Sequence, residues 1–514
     1  MTSIHETAYP RFKPDLTQRE LDEIYTPNET EQRFARRLGR SNASRLYLMI
    51  LLKTVQRLGY FPMVADVPPS IVSFVTKALG LKLVPLCALV EEEKSRSRRD
   101  FIDAIRAHLK IHPITKDTDK AIELAATQAA QTKQELADII NVIIEELIRQ
   151  RYELPAFSRL NRTAFRIRNQ VNELYYHTLT DPLPAAVTSQ FDAMLTLSAG
   201  QLVTGWQQIK QDPKKPTNTE VRQYLERVKW LKSWACELPQ VDHIPVVKRG
   251  QYVYEARALD AADLKAMQQN KRYALMVLLF HAQLSKALDD AVDIFVRKMR
   301  KLHSGALEQL QLYYQEHQKR AEKLVSQLRD VLEAFQEGET DQDRGKRIAG
   351  AMHDNPEKLL AECEEHMAYA GNNYLPFMLV PYQTQRPLLL NCLGLLDLES
   401  TSADLSLIES IRFVLANRQS HKEWLSIVDT NINLKWLPEK WRRPVTGQRS
   451  GPVTEVNRKY FELCVLTEAM QELQSGDLYV ANSDQYSDYR VQLVGWDTYE
   501  AQVAELSLIH ISEP

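Results

Sequence analysis

The chain has 514 residues, more than a single hydrophobic core usually serves, so several domains are expected. Hydrophobic residues make up 44% of it and charged residues 26%, the proportions of an ordinary soluble globular protein. Because 65 Lys and Arg residues face 67 Asp and Glu residues, the net charge of -2 excludes a generally basic chain, and any nucleic-acid surface must come from local segregation of charge.

Cysteine usage and the amino end indicate where the protein works. The five cysteines are scattered and form no C-x-x-C pair beside histidines, which is typical of reduced thiols in a cytoplasm. The first residues lack a signal-peptide pattern, and the longest apolar run, LYLMILL, is too short to span a bilayer. We therefore expect a soluble, cytoplasmic protein.

Apolar residues recur at three- and four-residue spacing through most of the chain, which has only 16 glycines. This pattern predicts a mostly α fold, an array of helical bundles with minor β-hairpin content. In the first 150 residues the predicted helices form one compact module and cover 17–23, 29–38, 44–57, 69–79, 98–109 and 118–149.

A second module begins near Pro155, a residue that is favoured in the first turn of a helix. Residues 241–256, VDHIPVVKRGQYVYEA, are predicted to form a small β-hairpin, because Val, Ile and Tyr flank a Lys-Arg-Gly turn. Residues 259–303 and 305–335 are predicted to form very long helices that act as a scaffold or a dimer-forming rod. A last helix at 456–473 precedes a turn and a short strand in SGDLYV.

Three basic faces are candidates for binding an anionic partner. In the helix at 44–57 apolar residues cover most of the surface, and a narrow polar stripe consists of Arg45, Lys53, Gln56 and Arg57. Three more arginines lie just upstream: Arg36, Arg37 and Arg40.

A second cluster precedes the helix at 98–109, where basic groups oppose the helix dipole and so are not explained by helix stability. It consists of Arg96, Arg98 and Arg99.

The third basic face lies on the helix after Pro155. One side is apolar and is predicted to be buried: Phe157, Leu160, Ala164, Ile167, Val171 and Leu174. The opposite side carries Arg159, Arg162, Arg166 and Asn169, which fits a recognition helix because Arg pairs with guanine or phosphate and Asn with adenine. A solvated charged face is the usual explanation of one such stripe, but three stripes within the first third of the chain leave both interpretations open.

Catalytic patterns are weak in this chain, which has no phosphate-binding glycine loop and no nucleophile elbow. Asp477, Asp484 and Asp488 flank a turn and a strand without the spacing of metal ligands. A second group of acids is predicted to be solvated or paired with Arg297 and Lys298 at helical spacing. This group is Asp289, Asp290 and Asp293.

Several segments together resemble the amino-terminal half of a transposase of the Tn-three family, the replicative, cointegrate-forming bacterial transposases. The resemblance runs in order from about residue 15 to about residue 499. It is carried by LTQRELDEIYTPNETEQRFARRLGRSNASRLYLMILLKTVQRLGYFP, RSRRDFIDAIRAHLKI, YELPAFSRLNRTAF, RPLLLNCLGLLDL and VNRKYFELCVLTEAMQELQSGDLYVANSDQYSDYR.

The resemblance implies a domain order. It comprises a first DNA-binding domain at 1–150, a second at 151–255, a long-helix linker and dimerisation region at 256–400, the start of a scaffold region at 401–506, and a tail at 507–514, SLIHISEP, that does not look like family sequence. In the family a ribonuclease H-like domain follows, whose three carboxylates hold two Mg²⁺ ions for strand cleavage and transfer. We expect the chain to be truncated before that domain, so we expect no catalytic residue, metal or cofactor in it.

The resemblance also assigns the basic faces to DNA. It implies binding of double-stranded DNA at the terminal inverted repeats of a transposon, on a bacterial nucleoid, by a possible homodimer that has no membrane association. The implied DNA-binding residues are Arg36, Arg37, Arg40, Arg45, Lys53, Arg57, Arg96, Arg98, Arg99, Arg159, Arg162 and Arg166. The alternatives are a helical scaffold without DNA specificity and a nuclease that uses Asp477, Asp484 and Asp488.

Overall fold

The fold is mostly α, as the sequence predicts. The computed structural model describes residues 2–82, 84–197, 202–212, 217–352, 355–369, 371, 373–428, 430, 432–447, 452–500 and 503; the predicted tail at 507–514 lies outside them. The chain divides into two compact units, one formed by Met1–Gln208 with Leu238–Leu279 and the other by Ile209–Glu237 with Phe280–Pro514. This division rests on packing, and the predicted boundaries at residues 150, 255 and 400 stay predictions.

The first unit is built from short and medium α-helices. In chain order they are α1 (Gln18–Tyr25), α2 (Glu29–Leu38), α3 (Asn42–Leu58), α4 (Pro69–Ala78), α5 (Leu86–Lys94), α6 (Ser97–Leu109), α7 (Lys116–Thr132), α8 (Leu136–Arg149), α9 (Phe157–Thr180), α10 (Ala185–Met194) and α11 (Gly205–Ile209). After α12 (Asn218–Ala235) of the second unit, the chain returns to the first unit with α13 (Val246–Ala258) and α14 (Ala261–Ala266).

Helix α3 is the centre of the first core. Leu46 through Leu52 are at most 1% exposed, because α1, α2, α4, α5 and α6 pack around that stretch. Its start is fixed by a capping box between Ser41 and Ser44, and Gly59 ends it in the left-handed conformation at φ 72°. The apolar run of the sequence is therefore a helix buried on nearly all sides.

A second core joins α7, α8 and α9. Small residues on α7, such as Ala126 and Ala130, let the isoleucines of α8 approach closely, including Ile140 and Ile143. The predicted apolar side of α9 packs into the same core through Leu160, Ala164, Ile167 and Val171. The prediction is wrong for Leu174, which is 61% exposed.

The predicted β-hairpin at 241–256 is wrong, since residues from Val246 onward form helix α13. Pro245 precedes the first turn, and Lys248, Tyr252 and Ala256 follow at four-residue spacing and are all buried. The Lys248 ammonium donates to the Lys133 carbonyl at 3.1 Å, which ties α13 to the end of α7. Helical spacing of the buried residues therefore outweighs the β propensity of the Val and Tyr residues.

The second unit contains α12 and the larger part of one very long helix, α15 (Gln269–Glu337). The sequence predicts a break at Ser304, but α15 is continuous through Gly305, because a single glycine costs a packed helix only about 1 kcal/mol. The helices that follow are α16 (Asp341–Ala351), α17 (Pro356–Ala368), α18 (Leu375–Leu393), α19 (Ser406–Ala416), α20 (Glu439–Thr446) and α21 (Arg458–Ser475).

Short strands add a small amount of β structure to the second unit. They are β1 (Leu398–Ser400), β2 (Trp424–Ser426), β3 (Glu455–Asn457) and β4 (Leu478–Val480). β1 pairs antiparallel with β4, and β2 with β3. The predicted last helix and the predicted strand in SGDLYV are thus confirmed as α21 and β4.

The end of α21 carries a carboxyl group that should make stability depend on pH. Burial, followed by the charges of Asp477, Glu468 and Asp404, raises the pKa of Glu472 from 4.5 to about 7. The folded state therefore binds a proton that the unfolded state has released between these values, so stability is lost as pH rises from about 4.5 to about 7. Glu472→Gln should raise the free energy of unfolding at pH 8 by roughly 1 kcal/mol, less than the full pKa shift because water screens a half-exposed carboxyl.

The measurement is urea unfolding of both proteins at pH 5 and pH 8. Glu439→Gln is the control, since the Glu439 side chain is 89% exposed and its nearest basic partner is Arg442 at 3.3 Å. An equal pH dependence in wild type and Glu472→Gln would contradict the prediction.

Candidate nucleic-acid interface

The corner between α2 and α3 exposes the first predicted cluster. Arg36, Arg37 and Arg40 are exposed, and none has an ionic partner among the residues that the structure describes. Arg45 instead holds the corner, because its Nε donates to the Gly39 carbonyl at 3.0 Å. A Cβ at Gly39 would lie 2.6 Å from the Cγ of Arg45, so this contact requires glycine.

The predicted polar stripe of α3 is divided by packing. Lys53 is only 8% exposed, and its ammonium lies 3.4 Å from the Glu31 carboxylate of α2. Gln56 also donates to Glu31, at 2.7 Å, whereas Arg57 is exposed. Lys53 is therefore a buried partner of Glu31 and is not part of the exposed basic surface.

The corner between α5 and α6 carries the second predicted cluster. Arg96 and Arg99 are exposed, and neither has an ionic partner within the described ranges. Arg98 is half-buried, donates to the Tyr47 hydroxyl at 2.9 Å and pairs with Glu93, so it braces α6 against α3.

A hydrogen bond brings these two corners together. The Ser41 hydroxyl at the start of α3 donates to Glu92, in the last turn of α5, at 3.3 Å. Arg40 adjoins Ser41 in the chain, and Arg96 follows Glu92 by four residues. The structure therefore places Arg40 and Arg96 near each other, where α3 begins and α5 ends.

The arginine face of α9 lies along α7. Arg159 pairs with Asp119 and Arg166 with Glu123, and all four side chains are about half exposed. Arg162 is exposed and donates to the Ser158 carbonyl of its own helix at 3.3 Å. Two of the three predicted recognition arginines thus have protein partners on the neighbouring helix.

A basic groove that the sequence did not reveal lies where α6 and α8 end. Its volume is about 620 Å³, and its lining residues are Arg106, Ala107, Lys110, Ile111, His112 and Arg151. Lys110, His112 and Arg151 are exposed. Neither helix end carries a glycine, so no local sequence signal predicts this groove.

Two of the three aspartates considered as metal ligands make other side-chain contacts. Asp488 pairs with Arg490 at 2.8 Å, and Asp477 accepts a hydrogen bond from Ser475 at 2.6 Å. Within the described ranges, no three His, Cys, Asp or Glu side chains are grouped so that they could hold a metal ion.

The prediction that the α15 aspartates are solvated or paired with Arg297 and Lys298 is confirmed for Asp293, which lies 3.5 Å from Arg297, but is wrong for Asp289. Asp289 is 7% exposed, and its carboxylate accepts hydrogen bonds from the Ser483 hydroxyl and from the backbone N–H groups of Asp484 and Gln485. It therefore fixes the loop after β4. Its neighbours accept hydrogen bonds from tyrosine hydroxyls: Asp290 from Tyr224 at 2.8 Å and Asp293 from Tyr486 at 2.8 Å.

These features define a mostly helical protein with exposed arginine clusters at the helix corners of its first unit. Residues 1–167 match the family model described as a domain of unknown function, DUF4158. None of the described helices is both long enough and apolar enough to cross a membrane.

The chain is homologous to transposases of the Tn-three family. It is 24% identical over 514 residues to the transposase for transposon Tn501 of Pseudomonas aeruginosa, covering 98% of this chain and 49% of that protein. It is 25% identical over 485 residues to the transposase for transposon Tn3926 of Escherichia coli, covering 92% and 47%. The transposase for transposon Tn1546 of Enterococcus faecium is 20% identical over 467 residues, covering 90% and 46%. The chain thus spans about half the length of the curated relatives it matches.

Proposed function

We propose that this chain takes part in DNA transposition by binding the terminal inverted repeats of a transposon through its first unit. The observation that carries the proposal is the set of exposed arginines without protein partners at two adjoining corners, Arg36, Arg40, Arg96 and Arg99. Homology to transposases along nearly the whole chain supplies the DNA partner. The protein would then work on the nucleoid, in the bacterial cytoplasm.

Contacts to phosphates would supply most of the affinity and make it depend on salt. Four phosphate contacts give a slope of about -3.6 in log K against log salt, because each contact releases condensed counterions. The α9 arginines can add phosphate contacts by leaving their carboxylate partners on α7. Exposed ion pairs such as Arg159 with Asp119 contribute only about 0 to 1 kcal/mol, so little stability is lost in this replacement. Base readout by Arg162 and Asn169 would give the preference for the repeat.

The test compares a duplex that carries the terminal repeat with a scrambled duplex by fluorescence anisotropy at several salt concentrations. Tighter binding of the repeat, with a steep salt slope, is expected in EDTA as well as in Mg²⁺, because phosphate contacts by arginine need no metal. Equal and weak binding of both duplexes at physiological salt would refute the proposal and favour a helical scaffold without DNA specificity.

We also propose that the chain forms a homodimer through the last turns of α15. The exposed apolar side chains there are Val325, Leu328, Leu332 and Phe335, and their spacing of three, four and three residues is the a/d spacing of a coiled coil. An apolar stripe of this length on a soluble protein marks an interaction surface.

Leu328→Glu with Leu332→Glu should convert the dimer into a monomer, because burying two carboxylates in an apolar seam is costly. Analytical ultracentrifugation measures the change. The control is Gln336→Glu with Glu333→Gln, which alters exposed polar positions of the same helix without touching the stripe. A wild type that sediments as a monomer at all concentrations would contradict this second proposal.

A further inference from the structure

We propose that the groove at the carboxyl ends of α6 and α8 binds backbone phosphates of duplex DNA through Lys110, His112 and Arg151. The inference rests on the proposed DNA binding and adds a contact surface to it. None of these three residues belongs to the basic clusters found in the sequence.

Both helices end in the same unusual way. Lys110, directly after α6, has φ 55°, and Arg151, two residues after α8, has φ 57°. Each stands at the left-handed position of a Schellman motif, in which the next N–H group bonds a carbonyl five residues back: Ile111 to Arg106 at 2.9 Å, and Tyr152 to Leu147 at 2.8 Å.

Two backbone hydrogen bonds hold the helix ends side by side. The His112 N–H donates to the Arg151 carbonyl at 2.8 Å, and the Glu153 N–H donates to the His112 carbonyl at 3.0 Å. The two left-handed residues therefore present their side chains from one rigid bridge. Because the backbone of both residues is already fixed, only side-chain freedom is lost when an anion binds.

Glycine is the residue that this backbone conformation favours. A side chain in the left-handed region costs about 1 kcal/mol, and Asn482 is the only other described residue outside glycine with positive φ. Cations near helix carboxyl ends gain about 0.3–1 kcal/mol from the dipole, which offsets part of that cost at each position separately. The dipole does not explain why both residues line one groove, and strained residues of this kind gather at functional sites.

The positive charges in the groove are not all neutralised by carboxylates of the protein. Its two nearby carboxylates both pair with Arg106: Glu153 at 2.6 Å and Asp103 at 2.9 Å. Lys110 and Arg151 have no ionic partner among the described residues, and the His112 ring only packs against Tyr152, at 5.6 Å between centroids. The groove therefore keeps an uncompensated positive charge that an anion would neutralise.

The groove also continues a face that is already implicated in DNA binding. Arg99 and Arg106 are seven residues apart and so lie on one side of α6, and Lys110 follows directly after the last residue of that helix. Eleven residues of helix span about 16 Å, a length over which duplex DNA carries about ten phosphate charges. A duplex lying along this side of α6 reaches both Arg99 and the groove.

The test uses the full chain with Lys110→Gly and Arg151→Gly together. Glycine suits both backbone positions, so the melting temperature should stay equal or rise while affinity falls. We expect about tenfold weaker binding of a duplex of about 30 base pairs, with repeat and scrambled sequence affected alike, and a salt slope lower by about 1.8 because two phosphate contacts are lost.

Two controls isolate the groove. Lys77→Gln with Lys229→Gln removes the same net charge at exposed sites elsewhere and should leave the salt slope unchanged, and Asn482→Gly measures the effect of glycine alone. If the glycine pair lowers the melting temperature, Lys110→Asn with Arg151→Asn replaces it and is judged by the same slope.

The two proposals fail in different ways. Wild-type affinity and slope in the double variant would refute the groove while leaving the proposed function in place. A wild type that binds neither duplex would refute the proposed function itself.

Discussion

Replacing Glu462 with alanine should lower the stability of the second unit by about 3–5 kcal/mol. Glu462 belongs to α21, is 1% exposed and contacts α18. Arg386 binds it with two parallel hydrogen bonds, at 2.7 Å each, and the Tyr382 hydroxyl donates to it at 2.7 Å. Arg458 approaches to 3.5 Å.

The size of the effect comes from the partners that would remain. Burial raises the pKa of Tyr382 well above its ordinary value, so the hydroxyl keeps its proton and donates it to Glu462. Without the carboxylate, two largely buried guanidinium groups lose their only counter-charge in this cluster and the hydroxyl loses its acceptor, while each guanidinium keeps one hydrogen bond to a backbone carbonyl. Leaving buried charges unpaired costs more than the pair itself contributes.

Urea unfolding of the full chain, with hydrogen exchange of the α18 and α21 amides, measures this loss. Glu439→Ala is the matched control, because it removes a side chain that is 89% exposed from a surface pair with Arg442. It should change stability by less than about 0.5 kcal/mol. In a double-mutant cycle with Arg386→Met, a coupling near zero between Glu462 and Arg386 would overturn the explanation.

Helical periodicity made the fold class predictable, but partners distant in sequence decided the details. The wheel of α3 correctly separates apolar from polar positions, yet it cannot show that Glu31 of another helix covers Lys53. The same limit applies to Arg159, whose partner Asp119 lies 40 residues earlier on α7. The sequence shows where basic residues cluster, and packing decides which of them remain exposed.

Local backbone conformation was the second feature that could not be predicted from the sequence. The hairpin prediction at 241–256 counted Val and Tyr as strand formers, although the buried side of α13 follows helical spacing. The groove was missed for a related reason, since Lys110 and Arg151 hold positions where a sequence normally shows glycine. A search of the sequence for glycine at helix ends therefore does not detect these two helix ends.

The exposed arginines at the two corners of the first unit should carry most of the DNA affinity. Changing Arg36, Arg40, Arg96 and Arg99 together to glutamine is expected to weaken binding about 100-fold or more at low salt, and to lower the salt slope by about 3.6. The melting temperature should hardly change, because these side chains are exposed and have no ionic partner in the described part of the chain.

Three comparisons make this result specific. Lysine at all four positions should keep most of the slope, since the slope depends on charge, but lose the two-pronged contact that only arginine offers. Lys53→Met should lower stability while leaving the slope intact, because Lys53 is buried against Glu31. Arg162→Gln alone should reduce the preference for the repeat over a scrambled duplex by about 1–3 kcal/mol, because a base contact carries sequence information and a phosphate contact does not. If the four-glutamine variant binds like wild type while Lys53→Met does not, the DNA surface lies elsewhere on the protein.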